Sequence, residues 1–102
     1  MTTVRLTEEQ IASQLPTIAA WTRVDEKWIQ RKYKFAGFLQ AMRFVNRVAD
    51  MAEEIQHHPF ISIDYKIVTL KMSSWQAGGL TQLDFDLAAK FDGAYEAVRG
   101  EE

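Results

Sequence analysis

The chain has 102 residues, 47% hydrophobic and 25% charged, with a formal charge of −2; these values suit one domain able to bury a core unaided. It has no cysteine, which excludes disulfides, thiolate metal sites and cysteine nucleophiles and is compatible with a cytoplasmic location. No apolar stretch approaches a membrane span, and the opening MTTVRLTEEQ lacks the pattern of a signal peptide.

Mixed charge along the chain argues against nucleic acid as a partner. The local basic run Arg31-Lys32-Tyr33-Lys34 reads as the solvated side of a strand, since alternate residues face opposite ways. In chain order, Leu6-Thr7-Glu8-Glu9-Gln10-Ile11 predicts a helix start. Thr7 and Gln10 close a capping box, and Leu6 and Ile11 form a hydrophobic staple. Pro16 and the TIAA that follows end this helix. Trp21–Val24 and Lys27–Phe35 predict two strands around a polar turn at Asp25-Glu26. In the second, Ile29, Arg31, Tyr33 and Phe35 share one face.

From Phe38 to Gln56 the period becomes helical. Phe38, Met42, Val45, Ala49 and Ala52 form one apolar stripe; Phe44, Val48, Met51 and Ile55 form another. So wide a surface predicts packing on two sides, on the sheet and on another subunit. Pro59 disfavours helical angles at His58, so the helix ends near Gln56 or His57. Ile61, Ile63 and Tyr65, then Val68, Leu70 and Met72, predict a hairpin turning near Asp64–Lys66. Gly78-Gly79 breaks the chain. Thr81-Gln82-Leu83-Asp84 caps a last helix with Leu83, Leu87, Phe91, Ala94 and Val98 on one face. The order predicts a single α+β domain over residues 1–102: a four-stranded antiparallel sheet with three helices on one face. Its sheet edges must be paired or protected.

The chemistry gathers in Glu53-Glu54-Ile55-Gln56-His57-His58-Pro59, which holds both histidines. Three readings compete. Glu53, His57 and a distant carboxylate would make a metal site, but adjacent histidines rarely converge on one ion. The pair would instead be a polar helix terminus, with the helix dipole favouring His and Glu53 pairing with His57 at i,i+4. Or it is an acid/base pair, since imidazole titrates near pH 6.5 and Glu53 would orient His57.

The ordered set of Glu53, His57-His58-Pro59, Tyr65, Trp75 and Gly78-Gly79-Leu80-Thr81-x-x-Asp84 resembles the pterin-4a-carbinolamine dehydratase family. Animal members of that family also serve as a dimerisation cofactor of a homeodomain transcription factor. The resemblance runs from Leu6-Thr7 through the last helix. It implies dehydration of 4a-hydroxytetrahydropterin to quinonoid dihydropterin without cofactor or metal, recycling the pterin of an aromatic amino acid hydroxylase. By position, His58 matches the principal catalytic histidine and His57 its proton-transferring neighbour, with Glu53 orienting them. Pro59, Ser73, Ser74, Trp75 and Asp84 are implied to line or fix the pterin pocket; Asp84 is equally well explained as a cap. Expected partners are the pterin and further copies of the chain, as a homodimer or homotetramer.

Trp75 stands where the best-known animal enzymes carry a third histidine. An indole N–H donates a hydrogen bond but does not shuttle protons at neutral pH. The alternative function is a non-catalytic module on the same scaffold, either a transcriptional cofactor or a carboxylase assembly factor.

Overall fold

The computed structural model describes residues 4–101; Met1–Thr3 and Glu102 of the acidic tail lie outside it. Three α-helices and one sheet alternate in the expected order: α1 (Glu8–Gln14), β1 (Thr22–Arg23), β2 (Ile29–Lys34), α2 (Phe38–Ile55), β3 (Phe60–Asp64), β4 (Ile67–Met72) and α3 (Gln82–Arg99). The four strands are antiparallel in the order β1-β2-β4-β3. Thus the two hairpins join through β2 and β4. Short 3-10 turns follow α1 (Leu15–Ile18) and β4 (Trp75–Ala77).

Local chemistry sets the boundaries. Thr7 Oγ1 accepts the Gln10 N–H at 3.1 Å while Gln10 Oε1 accepts the Thr7 N–H at 2.9 Å, so two orphan donors of α1 are satisfied. Pro16 falls in the 3-10 turn rather than inside the helix. The β3–β4 hairpin turns at Tyr65-Lys66, with Tyr65 at φ 55° carrying the left-handed conformation that glycine usually supplies. The first predicted strand is shorter than expected: only Thr22 and Arg23 pair with β2. Trp21 leaves the sheet edge to bury its ring, and its indole N–H reaches Asp92.

Alternation places Ile29 and Tyr33 of β2, and Val68, Leu70 and Met72 of β4, fully into the core beside Ala41, Phe44 and Val48 of α2 and Leu87, Phe91 and Val98 of α3. Full burial of each large apolar side chain contributes roughly 1.5–3 kcal/mol. On α2 the buried seam is Ala41, Phe44, Val48 and Ala52, whereas Phe38 and Ala49 of the other predicted stripe are exposed. On α3 a second seam of Phe85, Ala88 and Tyr95 is buried as well, because that helix lies deeper than its single predicted face implied. β3 pairs only with β4, and all its side chains are exposed. No helix among the described residues is long and apolar enough to cross a membrane.

One polar group ties the layers together. Asp92 Oδ1 accepts from the Trp21 indole at 2.9 Å and the Tyr33 hydroxyl at 2.7 Å, and forms an ion pair with the Arg31 guanidinium at 2.8 Å. Arg31 lies over the Tyr33 ring, 4.4 Å from its centroid. Burial, then the bond to Asp92, pushes the Tyr33 hydroxyl far above its ordinary pKa, so it stays a neutral donor. Removing the carboxylate strands a guanidinium and two donors in a partly buried setting. Asp92→Ala is therefore expected to cost about 3 kcal/mol in urea unfolding at unchanged m-value; a loss below about 0.5 kcal/mol would contradict this account of the hub.

Candidate active site

The exit of α2 sets the geometry. Gln56 adopts φ 59°, ψ 45°, its N–H bonds to Glu53 O, and the His57 N–H reaches back to Ala52 O at 3.1 Å. These are the two reverse bonds of a Schellman motif, which ends a helix and turns the chain sharply away. A non-glycine residue in this conformation is uncommon; here the Gln56 side chain adds its own bond to Glu53 O at 2.7 Å.

The turn sends the adjacent histidines in different directions. His57 points inward, its side chain 14% exposed, and its Nε2 lies 2.7 Å from Asp84 Oδ1. His58 points outward, 57% exposed, and its Nε2 lies 2.8 Å from Glu53 Oε1. The expected i,i+4 pairing of Glu53 with His57 is therefore replaced by pairing with His58. The left-handed residue removes His57 from the helical face, and the next residue swings back over it.

Asp84 is wholly buried at the start of α3. Its Oδ2 accepts the Thr81 N–H at 2.9 Å and the Ser74 hydroxyl at 2.8 Å, while Oδ1 faces His57. Capping and site therefore use one carboxylate, one oxygen for each task. Ser74 is brought there by the loop after β4, where its N–H bonds Gly79 O at 3.2 Å and Gly78 takes φ 77°. Its Oγ also lies 2.8 Å from Thr81 Oγ1.

The carboxylates determine the ring tautomers. An ionised carboxylate only accepts, so the nitrogen facing it must carry the proton. Facing ionised carboxylates, both histidines are thereby held as Nε2–H donors. The bond from His58 draws the Glu53 carboxyl below the ordinary 4.5, with a further contribution from Gln56.

The remaining predicted residues are less tightly tied. Ser73 and Pro59 are half-buried, and Trp75 is 81% exposed on its 3-10 turn. Among the described residues, Glu53, His57 and a third carboxylate do not converge as a metal site would require, nor does any other group of three such side chains. A cavity of about 340 Å³ lies on the far side of the Gly78-Gly79 turn, against Arg5, Leu6, Glu8 and Lys27, and neither histidine lines it. Thr81 is the site residue that the sequence offered only as a cap; its hydroxyl faces Ser74 instead of serving the helix alone.

Residues 4–94 match the profile of the pterin 4 alpha carbinolamine dehydratase family. The chain belongs to that family. It is 49% identical over 88 residues to a Picosynechococcus protein provisionally named pterin-4-alpha-carbinolamine dehydratase, covering 86% of this chain and 95% of that relative. A provisionally named relative from Nocardia farcinica is 44% identical over 92 residues, covering 90% and 96%. Among solved structures, a transcriptional coactivator/pterin dehydratase from Brucella melitensis superposes with a TM-score of 0.84 at 32% identity, covering 94% of this chain and 99% of that one. A pterin dehydratase-like protein identified as a RuBisCO assembly factor in the alpha-carboxysome shares the fold, with a TM-score of 0.64 at 20% identity over 74% and 92%.

Glu53 supplies a pH test. Its folded pKa is lowered, so its pairing with His58 contributes above the ordinary carboxylate range and is lost as pH falls through the lowered value. In a carbon-detected NMR titration, the Glu53 midpoint should lie below 4.5 and rise in His58→Ala; an unmoved midpoint would show that the ring does not hold the carboxylate.

Proposed function

We propose that this chain is a 4a-hydroxytetrahydropterin dehydratase whose acid and base are His58 and His57. The reaction breaks the C4a–O bond, removes the proton from N5 and forms the C4a=N5 double bond of the quinonoid dihydropterin. Hydroxide leaves poorly, so a proton must reach it as the bond breaks. His58, open to solvent and held by Glu53, gives that proton from Nδ1. His57, held by Asp84, takes the N5 proton on its own Nδ1. One proton is given and one taken; water returns both rings to their starting states. No cofactor or metal enters the scheme.

The observation that carries this reading is the separate anchoring of adjacent imidazoles, each through Nε2 and each by a different carboxylate. A polar helix end has no need of a second, buried carboxylate 27 residues along the chain. Different surroundings for two like groups are the usual means of separating acid from base. The exposed indole of Trp75 is available to stack on the pterin ring, and Ser73 and Pro59 are the further residues assigned to its pocket. The same reading makes the chain a recycler of the pterin used by an aromatic amino acid hydroxylase. The exposed Phe60, Ile61 and Ile63 of the β3 edge, with Phe38 and Leu39 of α2, support assembly as a homodimer or homotetramer.

Turnover of chemically generated 4a-hydroxytetrahydropterin tests the proposal. The wild type should accelerate dehydration, and His58→Ala should lose at least about tenfold, since a positioned acid or base is worth roughly 10²–10⁴ in rate. A wild type without turnover would sink the enzymatic reading and leave a binding module on the same scaffold.

A further inference from the structure

We propose that Ser74 and Thr81 are positioning residues: their hydroxyls form a one-way donor chain that holds Asp84 as an acceptor and fixes His57 in the Nε2–H tautomer. The functional weight of this chain rests on the reading of His57 as a proton-transfer group; the chain itself follows from counting protons.

The Ser74 hydroxyl has one proton and three polar neighbours: Asp84 Oδ2 at 2.8 Å, Thr81 Oγ1 at 2.8 Å and His57 Nε2 at 3.5 Å. The carboxylate accepts only, so the Ser74 proton goes to Asp84. Ser74 Oγ must then accept from Thr81, whose hydroxyl becomes the donor at the head of the chain. The direction is fixed throughout: Thr81 to Ser74, Ser74 to Asp84, and His57 to Asp84 from the other side. Ser74, Thr81 and Asp84 are 5%, 1% and 0% exposed. Water therefore does not replace a lost donor, and in such a setting each missing bond is felt by its neighbours.

The head of the chain matters because Ser74 Oγ is held on two sides, by the Thr81 hydroxyl from which it accepts and by Asp84 Oδ2 to which it donates. Without the Thr81 donor the donation that orients Asp84 is weakened, and without Ser74 it is lost. Asp84 Oδ1 is then no longer fixed toward His57 Nε2, and the Nε2–H tautomer loses the partner that favours it. Thr81→Val also removes the Thr81 side chain's half of the α3 capping box while leaving the Thr81 N–H on Asp84 Oδ2, so the tautomer of His57, which cap strength does not set, is the readout that separates the two roles.

Thr81→Val and Thr81→Ser separate positioning from bulk stability, and Ser74→Ala supplies an independent break in the chain should Thr81→Val fail to fold. In long-range ¹H–¹⁵N spectra, Thr81→Val and Ser74→Ala are expected to convert His57 from one tautomer to a mixture of two. Thr81→Ser should keep the single form. With 4a-hydroxytetrahydropterin, Thr81→Val should lose about tenfold in kcat, part of the value of a positioned base, with KM within about twofold, and Thr81→Ser should restore the rate. A single His57 tautomer in both broken variants, or Thr81→Ser behaving like Thr81→Val, would overturn the proposal. The ring spectra decide it whether or not the wild type turns over, so its failure is distinguishable from failure of the dehydratase assignment.

Discussion

A buried carboxylate must be surrounded by donors, or the fold loses several kcal/mol. In this chain that requirement falls on Asp84, and three separate pieces of sequence answer it. The Thr81 backbone comes from the start of its own helix, Ser74 from the loop after β4, and His57 from the exit of α2, while Thr81's hydroxyl steadies Ser74. Satisfying one charge brings together the start of one helix, the end of another and a strand exit. The proposed acid/base chemistry would thereby be built on a contact that folding demands.

The two histidines then differ by environment and not by type. His57 sits against a carboxylate that water does not reach, and its orientation is set by packing. His58 sits against an exposed carboxylate, where attraction is weak and screened. Under the proposed dehydratase reading, this would set a rigid base beside a more yielding acid, for a reaction in which the leaving hydroxyl moves away as its bond breaks. Trp75, nearly free in solvent, adds a flat apolar surface to this end of the sheet without adding a proton carrier.

Much of this was legible in the residues. The change from alternation to helical spacing at Phe38, the Thr7/Gln10 box and the breaks at Pro59 and Gly78-Gly79 located every element in order, because each has a local cause. The turn at Tyr65-Lys66 was placed despite lacking glycine, from the apolar alternation on either side. Asp84 left two explanations open, and the structure shows why neither excluded the other: a carboxylate has two oxygens. The partner of Glu53 was not legible. A glutamine in left-handed conformation leaves no compositional mark, yet it decides that His58 and not His57 returns to the helix. Nor did the pattern reveal which stripe of α2 meets the sheet, since Phe38 and Phe44 read alike until tertiary packing chooses between them. The role of Thr81 depends on a partner seven residues away, across a tight loop, which spacing along one element does not report.

The most direct test of the account is the protonation pattern of the imidazole rings in the wild-type protein near neutral pH. Long-range ¹H–¹⁵N correlation should show neutral His57 with its proton on Nε2, hydrogen-bonded and slow to exchange, and Nδ1 bare. Replacing Asp84 by Asn should abolish that preference. A wild-type His57 protonated on Nδ1, or one indifferent to the loss of the Asp84 carboxylate, would contradict the claim that this buried charge prepares the site.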